Sequence, residues 1–554
     1  MNPIPRPPSP SERGRTWQLL ALTIAAATIA AASWAVLRPG ETSPKPVEAG
    51  VEVEAPPPLA PPKSVYVSPD GSAEADGSQT HPLDLGTALG DGGPVGPGDT
   101  VWLRDGIYRG TFSSTVSGER DAPVYVKQYP GERAVLDGAG TLAATLNVTG
   151  SDTWFWGLEV TNSDPTREFE EPGDAATRRA TAIAVSGSRT RFINMVVHDA
   201  LNGFVVTAKA SDVEIAGCLV YNNGISDPRG AYGYGLLLES AGVTKAVDVV
   251  SFGNQGRGIA ASTQRRSGGT FLFDGVMSFD NGPSATATSH RTENLFVGTP
   301  AAADVKVVVT NSHLYHAGRV TGQNLSLAGP GRANGSVVLS DSVVLGGAVS
   351  LSLLNWQEST VKGNLFQTQG SSNPNADQTL VSVRAPGDSP DPYQWDANTY
   401  VDQTSHVYAF VFRGATNQYG GGNLSFDEWR RATRFDANSN YSRDGLTGVR
   451  VAVRPDTYET GRAHLVVHNW DRKAHVPVSL EKAGLNAGDS FEIVDVRNYG
   501  GPSVVSGTYT NDPVELPMRD EFGVFVISRR APARPAAAPV RSTKTAAGGE
   551  RPPS

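Results

Sequence analysis

The sequence contains little cysteine, little charge and little helical periodicity. Cys218 is the single cysteine among 554 residues, which excludes an intramolecular disulfide and a thiolate metal cluster. Its apolar neighbours indicate a buried strand residue. Charged residues make up only 19% of the chain, and the net charge is -9. Because phosphate binding needs a concentrated basic face, this composition excludes nucleic acid as a partner.

What the chain does contain favours strands and turns. The 61 glycines suit frequent turns, and only the stretch 426–431 has helical periodicity. A chain of 554 residues is also long enough to bury a large core. These features predict an all-β fold.

The N-terminus has the pattern of a membrane-directed segment. An apolar run over residues 16–38 follows a basic segment, residues 1–15, and about 20 such residues span a bilayer. The preceding arginines predict a cytoplasmic N-terminus and an exported body. We therefore expect one N-terminal transmembrane helix, a single-pass cell-membrane location, and an extracellular or periplasmic body. The alternative is a signal peptide cleaved near Ala30–Ala32, which would give a secreted protein.

Two segments of biased composition frame the rest of the chain. Residues 39–62 are rich in proline, which favours extended geometry and predicts a semi-rigid linker. Residues 531–554 are rich in Pro, Ala and Arg and predict a disordered tail.

Between these segments a short repeat recurs, in which an apolar strand is followed by an Asn or Gly turn. One position of the repeat is usually aromatic: His198, Tyr221, Phe252, Phe279 and Tyr315. Another holds Asn at a constant offset: Asn223, Asn254 and Asn281. The uneven spacing is typical of stacked coils with loops of different length. We expect a parallel β-helix over residues 63–445, with the aromatics stacked inside and the asparagines bonded to each other in left-handed turns.

After the repeats, apolar residues alternate with polar ones. Examples are Val449, Val451 and Val453, and later Phe522, Val524 and Val526. Strands of period two between Gly, Asp and Pro turns predict a small antiparallel β-sandwich over residues 446–530, which would cap the last coil.

Several segments resemble the pectin-lyase-like right-handed β-helix superfamily. They are Tyr66–Ser72, Pro97–Tyr108, Tyr129–Glu132, Asp427–Arg430, Phe435–Ser439, Tyr458–Arg462 and His468–Trp470. The resemblance implies an N-terminal cap, right-handed coils and a terminal sandwich. It implies no single activity, since the superfamily includes lyases, hydrolases, epimerases and adhesins. In Arg229–Glu239, tyrosines occupy places where related proteins often have histidines.

The loop from Asp227 to Tyr234 is the main candidate for substrate binding. It offers a carboxylate, a guanidinium and two aromatic rings, and such groups stack on sugars and bind sugar carboxylates. The substrate-binding residues predicted here and in the next coils are Asp227, Arg229, Tyr232, Arg265, Arg266 and Arg291.

Cleavage of a uronic-acid polymer by a lyase needs a group that neutralises the carboxylate and a base that removes the adjacent proton. We assign Arg257 to the first role and Tyr234 or His290 to the second. Ca²⁺ is a candidate cofactor, with Asp199, Glu239 and Asp280 as its ligands. Hydrolysis is the less favoured chemistry and would use Asp227 with Glu239.

Two functions stay open on this evidence. The first is a membrane-anchored, monomeric enzyme that acts on an acidic polysaccharide, with a lyase favoured over a glycoside hydrolase. The second is a non-catalytic surface protein that binds glycan or serves as a rigid spacer, an alternative supported by the absence of hydrolase and epimerase signatures.

Overall fold

The computed structural model of the chain describes residues 61–530, apart from residue 241 and the segments 264–267, 283–292, 299–303, 317–321, 329–333, 369–377, 405–408 and 415–421. The main body of the fold is built on three twelve-stranded sheets, called A, B and C below. The chain passes from A to B to C and back to A, and each strand pairs in parallel with the equivalent strand of the next coil. This arrangement is a parallel β-helix.

The strands of each sheet follow one another in chain order, so that each sheet runs the length of the β-helix. Sheet A consists of Ser64–Val67, Thr100–Leu103, Val124–Gln128, Thr153–Trp156, Arg191–Ile193, Val213–Ala216, Val243–Val247, Thr270–Asp274, Lys306–Thr310, Asn334–Ser340, Trp356–Lys362 and Tyr393–Asp396. Sheet B consists of Gly106–Arg109, Ala134–Asp137, Glu159–Thr161, Val196–His198, Leu219–Tyr221, Val250–Phe252, Met277–Phe279, His313–Tyr315, Val343–Leu345, Leu365–Gln367, Thr399–Val401 and Asn440–Ser442. Sheet C consists of Phe112–Ser114, Leu146–Val148, Ile183–Val185, Phe204–Val206, Tyr234–Leu238, Arg257–Ser262, Leu295–Gly298, Gln323–Ala328, Val349–Leu354, Thr379–Arg384, Phe410–Arg413 and the antiparallel Asn423–Leu424.

A short helix lies near each end of the β-helix. The first, Leu85–Leu89, begins at Asp84, whose side chain accepts a hydrogen bond from the Thr87 amide. The second, Phe426–Thr433, begins with a capping box. Its Trp429 is fully buried, and the ring centre lies 5.3 Å from that of Phe410 in the last parallel strand of sheet C. The second helix therefore covers the apolar end of the last coils.

The asparagine series forms the predicted ladder inside the β-helix. The Asn254 Oδ1 atom accepts hydrogen bonds of 3.0 Å from the Asn223 amide and side chain. Asn254 in turn donates to Asn281 over 2.9 Å, and the ladder continues to Asn294. The left-handed conformation lies one residue earlier than expected, at Asn222 with a φ of 54°.

Replacing Asn254 with alanine should lower the free energy of unfolding by about 3 kcal/mol, because the buried donors of Asn223 lose their acceptor. Urea unfolding followed by circular dichroism measures this change. The exposed Asn486 is the control, and its replacement by alanine should cost less than about 0.5 kcal/mol. Equal effects of the two substitutions would contradict a structural role for the ladder.

The aromatic repeat positions do not lie inside the β-helix, so this part of the prediction is wrong. In Leu219–Tyr221 the central Val220 points inward, and period two places both neighbours on the outer face of sheet B. The rings still stack between coils, with centres 5.1 Å apart for Tyr221 and Phe252 and 5.0 Å apart for Phe252 and Phe279.

The C-terminal sandwich covers this outer aromatic stack. Its five-stranded antiparallel sheet is formed by Val449–Pro455, Arg462–Asn469, Phe522–Arg529, Ser490–Asp495 and Val505–Thr508. A smaller sheet of His475–Val478 and Val514–Pro517 completes it, with the 3-10 turns Glu481–Ala483 and Val496–Asn498. The Phe522 ring lies 4.4 Å from Tyr315 and 5.2 Å from Phe279. The sandwich thus packs along the side of the coils.

The expected transmembrane helix requires a correction. Within residues 61–530, as far as they are described, no helix has the length and apolar character needed to cross a bilayer. The predicted segments 1–15 and 16–38, the linker up to residue 60, and the tail 531–554 lie outside the described residues.

Candidate functional site

The loops of the β-helix differ sharply between its corners. At the corner from sheet A to sheet B, each turn passes through one left-handed residue, as at Asn194, Gly217 and Asp248. At the corner from B to C, the connections range from a few residues to the long segment 162–182. We call this edge the B–C rim; its described residues are 162–182, 199–203, 222–234, 253–257 and 293–294. Among the described residues, the longest connections between consecutive strands of the β-helix, such as 162–182, therefore lie at this edge.

A β-hairpin projects from the rim at the predicted substrate-binding loop. Ile225–Asp227 pairs antiparallel with Gly230–Tyr232. The Asp227 carboxylate accepts hydrogen bonds from the amides of Arg229 (2.8 Å) and Gly173 (3.1 Å). Partial loss of hydration acts to raise the pKa of Asp227, but these amide bonds hold it below its usual range. Asp227 therefore stabilises the turn, while the side chain of Arg229 stays exposed and Tyr232 is half-buried.

The long segment 162–182 forms a second layer against the hairpin. The Phe169 amide donates to the Ser226 carbonyl over 3.0 Å, and the Ser226 amide donates to the Arg167 carbonyl over 2.9 Å. Arg179 is buried and donates to the carbonyls of Asn162, Asp164, Thr166 and Asp199. These bonds fix the segment as a wall of the rim.

Tyr234 and Arg257 are direct neighbours in sheet C. They face each other in register on adjacent strands, so their backbones are about 4.8 Å apart. On the other side of Tyr234, its amide donates to the Asn202 side chain over 3.1 Å. The structure thus brings together two of the three predicted catalytic residues, beside the hairpin that carries Asp227, Arg229 and Tyr232.

Arg257 already has a carboxylate partner. Its guanidinium donates to Glu293 over 2.7 and 3.2 Å and lies 3.7 Å from the centre of the Phe296 ring. The side chains of Arg257 and Glu293 are only 15% and 7% exposed. A substrate carboxylate that binds Arg257 must therefore compete with Glu293 for this guanidinium.

Asp199 belongs to a charged cluster that the sequence did not reveal. It accepts hydrogen bonds from Arg167 (2.8 Å), and its other oxygen lies 2.7 Å from His198. Although burial alone would lower the pKa of His198, its contacts with Asp199 and Glu159 raise it to about 9. Burial acts to raise the pKa of Asp199, but His198 and Arg167 hold it low. Arg167 lies 32 residues before Asp199, and Glu159 lies 39 residues before His198, so no local pattern reveals the cluster.

The predicted calcium ligands are not brought together. Asp199 and Asp280 lie at the same corner, but the coils that carry Asn222 and Gly253 separate them. The Asp280 carboxylate accepts a hydrogen bond of 3.1 Å from Arg497 of the sandwich, and Glu239 follows the far end of its strand in sheet C. In the part of the chain that the structure describes, no group of three or more His, Cys, Asp or Glu residues is placed to hold a metal ion. The described side chains therefore do not fit Ca²⁺.

Four predicted site residues cannot be placed. They are Arg265, Arg266, His290 and Arg291, which lie outside the described residues. The catalytic role of His290 and the substrate-binding roles of Arg265, Arg266 and Arg291 therefore stay predictions.

The comparisons with known proteins agree with this architecture. Residues 65–294, which include Tyr234 and Arg257, match the family model "Pel9A-like, right handed beta helix region". The chain is 33% identical over 115 residues to the pectate lyase PEL9 of Emericella nidulans, covering 18% of this chain and 28% of that protein. It is 35% identical over 92 residues to a pectate disaccharide-lyase of Dickeya chrysanthemi, covering 17% of this chain and 12% of that protein. The matches thus span less than a third of these relatives' length.

Among solved structures, the chain resembles that of pectate lyase Pel9A with a TM-score of 0.42 and 17% identity, over 66% of this chain and 82% of that one. The matching family model describes a right-handed β-helix, and we assign this handedness to the coils on that basis. At the level of the fold, residues 65–294 are similar to pectin-lyase-like right-handed parallel β-helix proteins, as the sequence resemblance predicted.

Proposed function

We propose that this chain binds an acidic polysaccharide along the B–C rim and cleaves it by β-elimination. The main support is the family match over residues 65–294, which covers the coils that build this rim. The 33% identity to pectate lyase PEL9 over 115 residues favours a uronic-acid polymer as the substrate.

In this proposal Arg257 neutralises the sugar carboxylate and Tyr234 removes the proton. Elimination requires that the sugar carboxylate be neutralised, so that the proton on the adjacent carbon becomes acidic enough for a base to remove. Arg257 pairs with the carboxylate and Tyr234, in the neighbouring rung, receives the proton. Electrons of the broken C–H bond form the new C=C bond, and the bond between the next carbon and the glycosidic oxygen breaks. The leaving oxygen takes the hydroxyl proton of Tyr234 and becomes a hydroxyl group, and the proton from carbon replaces it on Tyr234. Arg229 and Tyr232 on the hairpin contact sugars further along the polymer.

One observation favours a second function, which is binding without cleavage. The Arg257–Glu293 ion pair is nearly buried, and breaking it costs free energy that substrate contacts must offset. A polymer that does not displace Glu293 would be held by the exposed hairpin alone.

The full-length chain should release unsaturated ends from polygalacturonate or alginate, measured by ultraviolet absorbance, with reducing ends measured separately. Tyr234→Phe should lower kcat at least 100-fold, as expected for loss of a general base. Tyr125→Phe is the control, since Tyr125 lies on sheet A away from the rim, and it should retain wild-type activity. Each assay is run with Ca²⁺ and with chelator.

The two functions give different results. Binding without unsaturated or reducing ends would reject cleavage and support the second function. Reducing ends alone would indicate hydrolysis, and full activity of Tyr234→Phe would remove Tyr234 from the mechanism.

A further inference from the structure

A large cavity lies on a different face of the β-helix from the rim. Its volume is about 580 Å³, within the range of small-molecule sites. Sheet A and the start of sheet B form one wall and the sandwich forms the other. The side chains used below are Trp102, Lys127, Trp156, Glu459 and Arg462.

Two tryptophans and a lysine occupy adjacent rungs of the first wall. Trp102 pairs in register with Lys127, and Lys127 with Trp156, on three neighbouring strands of sheet A. The Lys127 ammonium lies 3.9 Å from the centre of the Trp156 ring and 5.8 Å from that of Trp102. Both rings are half-buried, so part of each apolar surface faces the cavity. Such surfaces stack on sugar rings.

The cavity also contains two cations, Lys127 and Arg462, whose side chains make no hydrogen bond to a carboxylate among the described residues. Within the described residues, no Asp or Glu oxygen lies within 4 Å of the Lys127 ammonium, and burial lowers its pKa while Glu459 opposes that shift. Arg462 is 9% exposed, and its Nε atom has no hydrogen-bond acceptor in the described part of the chain. Its nearest carboxylate, Asp456, is 3.8 Å away. A buried cation of this kind favours an anionic ligand.

We propose that this cavity is a second saccharide-binding site, separate from the rim, that holds a short acidic oligosaccharide. A sugar ring packs against Trp102 or Trp156, and a sugar carboxylate pairs with Lys127 and Arg462. The identity of the sugar rests on the proposed function, whereas binding at the cavity does not depend on cleavage. Because sandwich and β-helix both line it, the site requires the docked sandwich.

Quenching of tryptophan fluorescence by a short oligogalacturonate, titrated into the full-length chain, measures this binding. Lys127→Gln should weaken it at least tenfold and reduce its dependence on salt. Trp156→Ala should also weaken it at least tenfold, while Trp156→Phe should retain most of it. Tyr234→Phe should bind as the wild type does. Thermal unfolding of each variant shows whether the fold is intact.

Several outcomes would overturn the proposal. These are unchanged affinity in folded Lys127→Gln and Trp156→Ala, equal affinity for a neutral oligosaccharide of the same length, or loss of binding only in the rim variant. A chain that cleaves no polymer but binds the oligosaccharide through Lys127 would reject the proposed function and leave this site in place.

Discussion

Replacing Arg454 with methionine should lower the free energy of unfolding by about 3–5 kcal/mol, which is the cost of leaving the buried charge of Asp248 without its partner. Arg454 extends from the sandwich to the β-helix, where its guanidinium donates to Asp248 and, over 2.7 Å, to Asp274. Burial raises the pKa of Asp248 to about 6 even with this partner. Without Arg454, the carboxylate must take up a proton or draw water into the interface. Urea unfolding at pH 7 measures the loss.

Two further substitutions make this result interpretable. Arg472→Met removes an ion pair with Glu521 in which the arginine side chain is 64% exposed, and it should cost at most about 1 kcal/mol. Adding Asp248→Asn to Arg454→Met should restore part of the stability, because it removes the uncompensated charge. An equal loss for Arg472→Met and Arg454→Met would show that burial of the pair is unimportant.

Acidification below pH 6 should destabilise the protein by about 2.7 kcal/mol per pH unit down to about pH 4. Three buried histidines cause this loss of stability. His313 of sheet B lies 3.0 Å from His468 of the sandwich, and His464 lies on the same strand as His468. Burial lowers the pKa of His313 and His464 to about 3 and that of His468 well below its usual value.

The direction follows from proton binding in the two states. Below pH 6.5 the unfolded chain protonates these histidines and the folded chain does not, so folding stability falls with pH until the folded pKa is reached. Asp248 acts in the opposite direction between pH 6 and 4, because its pKa is raised in the folded protein. The folded chain then binds one proton at Asp248 that the unfolded chain does not, so the net difference between the two states is two protons instead of three.

Urea unfolding at a series of pH values between 7 and 4 measures this slope. His313→Gln should reduce it by about 1.4 kcal/mol per pH unit. Substitution of the exposed His475 by Gln should leave it unchanged. A stability profile that is flat from pH 6 to pH 5 would contradict neutral buried histidines.

The sequence predicted the coils because their signal is local and repeated. The constant Asn offset and the apolar strands predicted the β-helix and the Asn ladder. The sequence did not indicate whether the aromatic side chains point into or out of the β-helix. Leu219, Val220 and Tyr221 are all apolar, and such runs are typical of strands buried on both faces. Which face turns inward depends on contacts with the sandwich, such as those that Phe279 and Tyr315 make with Phe522, more than two hundred residues later.

The candidate site was predicted where one loop carries several residues, as from Asp227 to Tyr234. Its pairs across coils were missed, since the Arg257–Glu293 and Arg167–Asp199 contacts depend on three-dimensional stacking. The expected monomer and the location outside the cell are tested by neither the fold nor the comparisons, and they stay predictions.

Because the sandwich follows the coils in sequence, it is synthesised after the surface that it covers. A chain synthesised from its amino end completes all the coils before residue 449 leaves the ribosome. Until Phe522 arrives, the rings of Phe252, Phe279 and Tyr315 form a bare apolar strip, which other chains can bind. Chains that end early keep this strip exposed and aggregate. The final strand of the sandwich thereby distinguishes a finished polypeptide from a truncated one.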